Sequence, residues 1–585
     1  MNSHTNRAAP GRAIAGLSLP VIACLSFVHS AAQAEVVFAG LDERQELNVR
    51  AFSSLATTRC DSARWRVDRL FRDADKSIRS ALQALGYYEP VISKSLRWDE
   101  KCWHAEFDIQ AGEPVRLGKV DIVVDGPAAS DDLFLQRVSG ERPAAGDILD
   151  HGRYTSFKAS IMRAAMHTGY FDADFERSTV TVNRDTRSAD LDMLFHSGPK
   201  YRFGSVSFTK GILQEKLLLG YTDIRPGDPY SARLISELYE ALNGSSYFET
   251  VSISTEPTNP ADNTVPVTVN LTPAKRRVYS IGGGFTTDTG INGKLGYSNR
   301  RINARGHQFD SRLFLSEVRS ELNAAYRWPR NDPRREWYSV TAGIQHQETS
   351  TSENDTYKIG VQRTRNLGKD WLETRYIDYA LEDFTVADQD TDSQLLMFGS
   401  SWETTKGREL GRSAKGYRFS FDLRGASDKL VSDTSFVQLR STAKWIRSMG
   451  ANTRVIARAH LGLTAIDDVS TLPASVRFFA GGDQSIRGYE FESLGPVNDD
   501  GDVIGGTHLV DASLEFDHRV RDKWAIAAFV DTGSAFNDSD IEFSTGVGVG
   551  LRWYSPIGPI RIDFAHPLDD PDKSVRVHIG FGPDL

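Results

Sequence analysis

The chain has 585 residues and a formal net charge of −9. That length leaves room for several domains, and an acidic balance without a basic aromatic patch excludes a nucleic-acid partner. The 48 glycines, 30 Phe and 19 Tyr accompany only modest hydrophobicity, spread in alternating segments. No stretch of the mature chain approaches the ~18 apolar residues of a membrane helix, so any crossing must be made by strands.

Residues 1–34 read as an export signal. Arg7 and Arg12 precede an apolar run from Ala13 to Val28, and Ala32-Gln33-Ala34 forms a small-residue cleavage site before Glu35. Val21-Ile22-Ala23-Cys24 admits a lipoprotein alternative with Cys24 acylated, but the apolar run continues to the better site. Cys60 and Cys102 then remain as an even pair in an oxidising compartment, which favours a disulfide over two buried free thiols. No His-Cys cluster has metal-ligand spacing, and no metal or cofactor is expected.

Residues 35–275 carry a weak internal repeat. Gly112-Glu113-Pro114-Val115-Arg116-Leu117-Gly118-Lys119-Val120 recurs as Gly198-Pro199-Lys200-Tyr201-Arg202-Phe203-Gly204-Ser205-Val206. Three helical patterns run into a glycine or serine and then two aromatics: Gly86-Tyr87-Tyr88, Gly169-Tyr170-Phe171 and Gly244-Ser245-Ser246-Tyr247-Phe248. Each unit reads strand, helix, helix, strand, strand, at 35–115, 116–201 and 202–275.

From about Val278 the pattern becomes alternating segments of roughly ten residues, about sixteen in all, which must close into a barrel because lipid tolerates no free sheet edge. Leu509 to Asp517 shows the type: Val510, Ala512, Leu514 and Phe516 on one face, Asp511, Ser513, Glu515 and Asp517 on the other. With the repeat in the periplasm, alternate connectors face outward and read acidic (Thr385–Asp392, Asp569–Asp572). Their periplasmic counterparts read basic (Asn299–Arg305, His518–Arg521).

One segment, 467–506, does not alternate. It contains Phe478-Phe479-Ala480-Gly481-Gly482-Asp483-Gln484-Ser485-Ile486-Arg487-Gly488-Tyr489. It follows the eleventh strand, and its apolar content is expected to fold back into the lumen rather than stand in solvent. An arginine in such surroundings needs a carboxylate. Period-2 parity offers Glu515 on strand twelve and Phe529 and Asp531 on strand thirteen. Gly546, Gly548 and Gly550 on strand fourteen leave room against the wall. The bland alternative is an exposed loop arginine.

Ile486-Arg487-Gly488-Tyr489, Phe529-x-Asp531-x-Gly533 and Gly550-Leu551-Arg552-Trp553-Tyr554 through Asp563 resemble the motifs of the POTRA-plus-barrel outer-membrane assembly superfamily, and the repeats resemble its POTRA modules. The resemblance implies α+β periplasmic POTRA repeats followed by a 16-stranded antiparallel transmembrane β-barrel at 276–585. In it Arg487, Gly488 and Tyr489 dock on Glu515, Phe529 and Asp531. Three units resemble the TamA-type (translocation and assembly module) branch, whereas BamA-like members carry five and two-partner secretion transporters two. The ending Ile579-Gly580-Phe581-Gly582-Pro583-Asp584-Leu585 supports that branch but runs past the usual terminal aromatic.

The expected function is therefore a non-enzymatic outer-membrane insertase for unfolded β-barrel or autotransporter clients, with a TamB-like periplasm-spanning partner and contact with outer-membrane lipid. A two-partner-type secretion pore and phospholipid transport to the outer membrane are the alternatives. Enzyme motifs such as His-Glu-x-x-His, Gly-Lys-Ser/Thr and Gly-x-Ser-x-Gly are missing from the sequence. Gly282, Gly283 and Gly284 on the first strand and Gly580 on the last weaken pairing where the barrel closes. They are read as a lateral gate, or else as relief of crowding against the third module. Cysteines near Gly283 and Arg576 are expected to meet across that seam.

Overall fold

Alternation in the sequence becomes sheet in the computed structural model, which describes residues 34–100, 102–138, 142–209, 211–256, 262–368, 370–407, 412–537, 541–555, 558–570 and 574–582. The export signal with its Cys24 alternative, and the last three residues, lie outside the described residues. Residues up to Lys200 make one compact unit and residues from Tyr201 the other.

The first unit holds two modules. Strand β1 (Glu35–Ala39) is followed by α1 (Glu43–Phe52), α2 (Arg64–Ala84), β2 (Val91–Trp98) and β3 (Trp103–Gln110), with sheet order β1-β3-β2. Helix α1 starts where Asp42 caps the Gln45 amide and Gln45 caps back, satisfying amides that have no partner inside the helix. Val49, Ile78, Leu82, Trp103 and Phe107 fill the core between helices and sheet. The second module repeats the plan with β4 (Arg116–Asp125), α3 (Asp132–Val138), α4 (His151–Thr168), β5 (Asp174–Asn183) and β6 (Ser188–His196), ordered β4-β6-β5.

The second unit opens with the third module: β7 (Arg202–Phe208), α5 (Glu215–Leu219), α6 (Ala232–Asn243), β8 (Phe248–Ser254) and β9 (Thr264–Pro273), ordered β7-β9-β8. The repeated glycines have one structural reason. Gly118 and Gly204 sit where the parallel pairing slips, between Leu117 and Val120 and between Phe203 and Val206. The helix ends are less uniform than the sequence repeat. Gly169 caps α4 in the left-handed region, but Gly244 stays right-handed and Ser246 takes the positive φ in the third module.

Sixteen antiparallel strands follow, from β10 (Arg277–Thr286) to β25 (Arg576–Phe581), each paired with the next in sequence. The third module rests on turns at one end of these strands: Arg334 holds Asp223 through two bonds of 2.9 Å, and the Gln214 amide donates to the Ala304 carbonyl at 2.8 Å. Strand β22 (Trp524–Phe536) shows why the chain closes this way. Ala525, Ala527, Phe529 and Asp531 are buried inward, while Trp524, Ile526, Ala528 and Val530 are exposed on the face that meets lipid.

Two connector readings are corrected. Thr385–Asp392 is not a loop: β16 (Trp371–Val386) and β17 (Gln389–Lys406) are joined by the two-residue turn Ala387-Asp388, with Ala387 at φ +53°. His518–Arg521 likewise ends strand β21 (His508–Arg521). Pairing continues through both charged stretches, to Val386 with Gln389 and to Arg521 with Trp524, so strand ends carry the charge that a loop would.

Cys60 and Cys102 are bonded to each other, 42 residues apart in sequence. The exported protein should therefore show unchanged mass after alkylation without reductant. Reduction should destabilise the first module by roughly 2–4 kcal/mol in thermal unfolding, and two alkylated thiols in the native protein would contradict the pairing.

Candidate functional site

The segment between β20 (Thr453–Ile466) and β21 turns into the barrel. Phe478, Ala480, Ile486 and Tyr489 are buried in a cluster with Ala535, flanked by Leu494 and Leu509. This apolar packing explains why the segment leaves water. It carries Arg487 with it, and a buried guanidinium must find anions on the wall.

It finds three. Nε and one terminal nitrogen grip Asp531 at 2.7 and 2.9 Å, and the other terminal nitrogen reaches Glu515 at 2.9 Å and Asp563 at 3.1 Å. Ser513 Oγ takes the remaining donor at 3.3 Å. All five N–H groups of a guanidinium are thus used, and the Arg487 backbone N–H adds a sixth bond to Asp531 at 3.1 Å. The guanidinium carbon lies 3.4 Å from the centroid of the Phe529 ring, a cation–π contact. Burial disfavours the cation. The bonds and charge of Asp531, with those of Glu515 and Asp563, outweigh it and hold the arginine above its ordinary range.

The wall is prepared for this arginine. Glu515 and Asp531 are inward on adjacent strands, and Gly546 on β23 (Ser544–Ser555) removes the side chain that would collide. A Cβ there would stand 1.9 Å from the Arg487 carbonyl. Gly488, at φ +105°, passes within 3.1 Å of the Pro567 nitrogen when given a Cβ, so the backbone reverses where a larger residue would be strained. Its N–H donates to His578 Nε2 at 2.9 Å.

Parity in the sequence puts Glu515, Phe529 and Asp531 on the inward face and the family resemblance docks Arg487 there; the structure brings all four together. It also adds groups that were missed. Asp563, on β24 (Gly558–Pro567), is the third carboxylate. Arg552 on β23 bridges Glu515 at 3.0 Å and Asp563 at 2.5 Å, so two guanidiniums share three carboxylates. Arg458 on β20 supplies a further cation, donating to the loop carbonyls of Asp483 and Ser485 at 3.2 and 2.9 Å. Arg552 shares the inward parity of Gly548 and Gly550, a signal that could have found it. The pairing of Gly550 with Asp563 depends on a register that parity does not give.

Gly282, Gly283 and Gly284 lie in β10, and Gly580 lies in β25 opposite Arg561 of β24. Among the described residues no ladder joins β10 to β25. One backbone bond crosses, from the Thr287 amide to the Ile579 carbonyl at 3.2 Å, and the Ile579 amide finds the Thr287 hydroxyl instead. That contact brings Thr286 across from Gly580, so cysteines at Gly283 and Arg576 would sit well out of register. Crowding by the third module does not explain the glycines: the nearest atoms to a Cβ at 282, 283 or 284 belong to Lys294 and Asn292 of β11 (Gly290–Asn299).

Three soluble modules ahead of a sixteen-stranded barrel plugged by an inward arginine loop define an outer-membrane assembly-type barrel. The family model described as Omp85 superfamily domain matches residues 277–584, more than half of the chain, and the chain belongs to the Omp85 superfamily. Models described as POTRA domain TamA domain 1 and as surface antigen variable number repeat match residues 35–111 and 201–274. The protein is thus placed in the outer membrane with its POTRA modules in the periplasm, in a family of non-enzymatic assembly and transport factors. The chain is 22% identical to the outer membrane protein assembly factor BamA of Nitratidesulfovibrio vulgaris over 83% of its own length, and spans 64% of that relative. The crystal structure of BamA from Haemophilus ducreyi lacking POTRA domains 1–3 has a TM-score of 0.66 at 15% identity. That match covers 79% of this chain and all but 1% of the other, and shows the shared fold.

Removing Arg487 leaves the buried Asp531 without its guanidinium and takes one of two from Glu515 and Asp563, an effect of ~3–5 kcal/mol for a broken buried pair. Arg487→Ala should leave the barrel inserted, as judged by heat-modifiable mobility, while the loop becomes open to protease. Unchanged protection would contradict the lock. A second expectation concerns Glu492 of the same loop. It lines a lumen cavity of about 630 Å³ and accepts from Gln347 at 2.9 Å, and its burial pushes the carboxyl up to about 7. A raised carboxyl stabilises the docked loop at acidic pH and loses that contribution as pH rises through about 7. Loop protection should weaken between pH 5 and 8, and Glu492→Gln should flatten the profile.

Proposed function

We propose that this protein is a TamA-type assembly factor that inserts β-barrel or autotransporter clients at the seam between β10 and β25, working with a TamB-like periplasm-spanning partner. The observation that carries the reading is the seam itself. Among the described residues every pair of strands consecutive in the sheet is joined by a ladder, whereas β25 has six residues and is joined to the turn after β10 by one backbone bond. An edge with unpaired N–H and C=O groups is a template for an incoming strand. Three successive glycines on β10 lower what must be given up when its edge lets go.

The match of residues 35–111 to the first TamA POTRA model supports that branch, and the relative named as an assembly factor supports the class of activity. The partner reading rests on the modules. Each three-stranded sheet has two outer strands, such as β1 and β2 in the first, and an outer strand can accept an extended segment from another chain.

A disulfide at the seam tests the gate. In a Thr286→Cys/Gly580→Cys variant, oxidation should abolish insertion of a client barrel into outer-membrane vesicles, and reduction should restore it. Unimpaired insertion by the locked barrel would contradict the gate and leave the fold untouched. Client class follows from depletion: loss of barrel proteins with unchanged outer-membrane phospholipids supports assembly, and the reverse supports lipid transport.

A further inference from the structure

The loop that Arg487 anchors also touches both sides of the open seam, through one carboxylate. Asp483 Oδ1 accepts from the Thr287 hydroxyl at 3.2 Å on the β10–β11 turn and from His578 Nδ1 at 2.5 Å on β25. The Asp483 amide donates to Asp288 Oδ2 at 2.7 Å on the same turn. On β25, His578 is buried and faces inward; its Nε2 receives the N–H of Gly488, the glycine that follows the anchoring arginine. Farther out, Arg576 of β25 faces Glu490 of the loop at 3.6 Å.

We propose that Asp483 and His578 are positioning residues that latch the seam: the docked loop holds the first hairpin and the last strand together where, among the described residues, one backbone bond alone joins their main chains. The latch rests on the gate reading for its consequence, since it makes undocking of the loop tip a condition of seam opening. Removing the Asp483 acceptor takes one hydrogen bond from Thr287 and one from His578 at once, so one group acts on both edges.

The trio Asp288, Asp483 and His578 also brings its oxygen and nitrogen atoms close enough for a metal ion. The hydrogen bonds argue against that use. Because Nε2 accepts from Gly488, the ring proton sits on Nδ1 and points at Asp483. A ligating histidine normally donates its other ring N–H, which here would be driven against the Gly488 N–H. A proton on Nδ1 fits both hydrogen bonds of the ring; a metal there does not.

The Thr286→Cys/Gly580→Cys protein, reconstituted in liposomes without client, reads seam closure as the rate of disulfide formation. Asp483→Ala and His578→Ala should each slow it on the order of tenfold, the scale of a lost charge-assisted bond, with no further loss when combined. Asp483→Asn should stay near the parent rate, because an amide oxygen still accepts both protons. Thr287→Val, which deletes a single hydroxyl, should slow closure severalfold and carries the test should either alanine variant fail to fold. Parent-like rates in Asp483→Ala or Thr287→Val would overturn the latch, as would equal slowing by Asn and Ala. Zn²⁺-dependent acceleration in the parent would overturn it in favour of a metal site. These rates are read without client, so they stand apart from the gate, which insertion by the locked barrel tests alone.

Discussion

A guanidinium buried against three carboxylates is the constraint on which this barrel depends. In a dry wall, neither the cation nor the anions can be left alone, so the loop that carries Arg487 and the strands that carry Glu515, Asp531 and Asp563 must arrive together. Arg552 and Arg458 keep the count of charges close to even. The apolar residues around Arg487 provide the drive to leave water, and the arginine determines where the loop stops. Small residues at 546 and 488 are consequences of that stop.

The same constraint reaches the seam. Barrel closure ordinarily comes from the ladder between the first and last strands, but here β25 is short and β10 is rich in glycine. Closure is transferred to side chains of the loop, Asp483 above all, and to the histidine that meets Gly488. Loop docking and strand closure then share atoms within a few residues of Arg487. A client strand that competes for the edge of β10 would compete with the loop as well.

Much of this was legible before any coordinates. Period-2 alternation yields sixteen strands and the inward parity of Glu515, Phe529 and Asp531, because burial in a barrel follows the pleat. Loop bounds at 467–506 follow from the loss of that alternation. Other features were not legible, for physical reasons. Asp563 and His578 reach the loop through strand register, which parity leaves open. The acidic stretch at 385–392 belongs to paired strands because pairing continues to Val386 with Gln389. In the third module the left-handed turn moved from Gly244 to Ser246, since the repeat sets the bend but not which residue makes it.

Hydrogen exchange, read strand by strand on the intact protein in bilayer discs, tests the central claim most directly, because protection reports the free energy of local opening. The account predicts that amides of residues 278–286 and 576–581 exchange well before those of β16 and β17, and that Arg487→Ala accelerates the seam amides while leaving β16 and β17 unchanged. Seam strands as protected as β16 and β17, or indifferent to loss of Arg487, would contradict it.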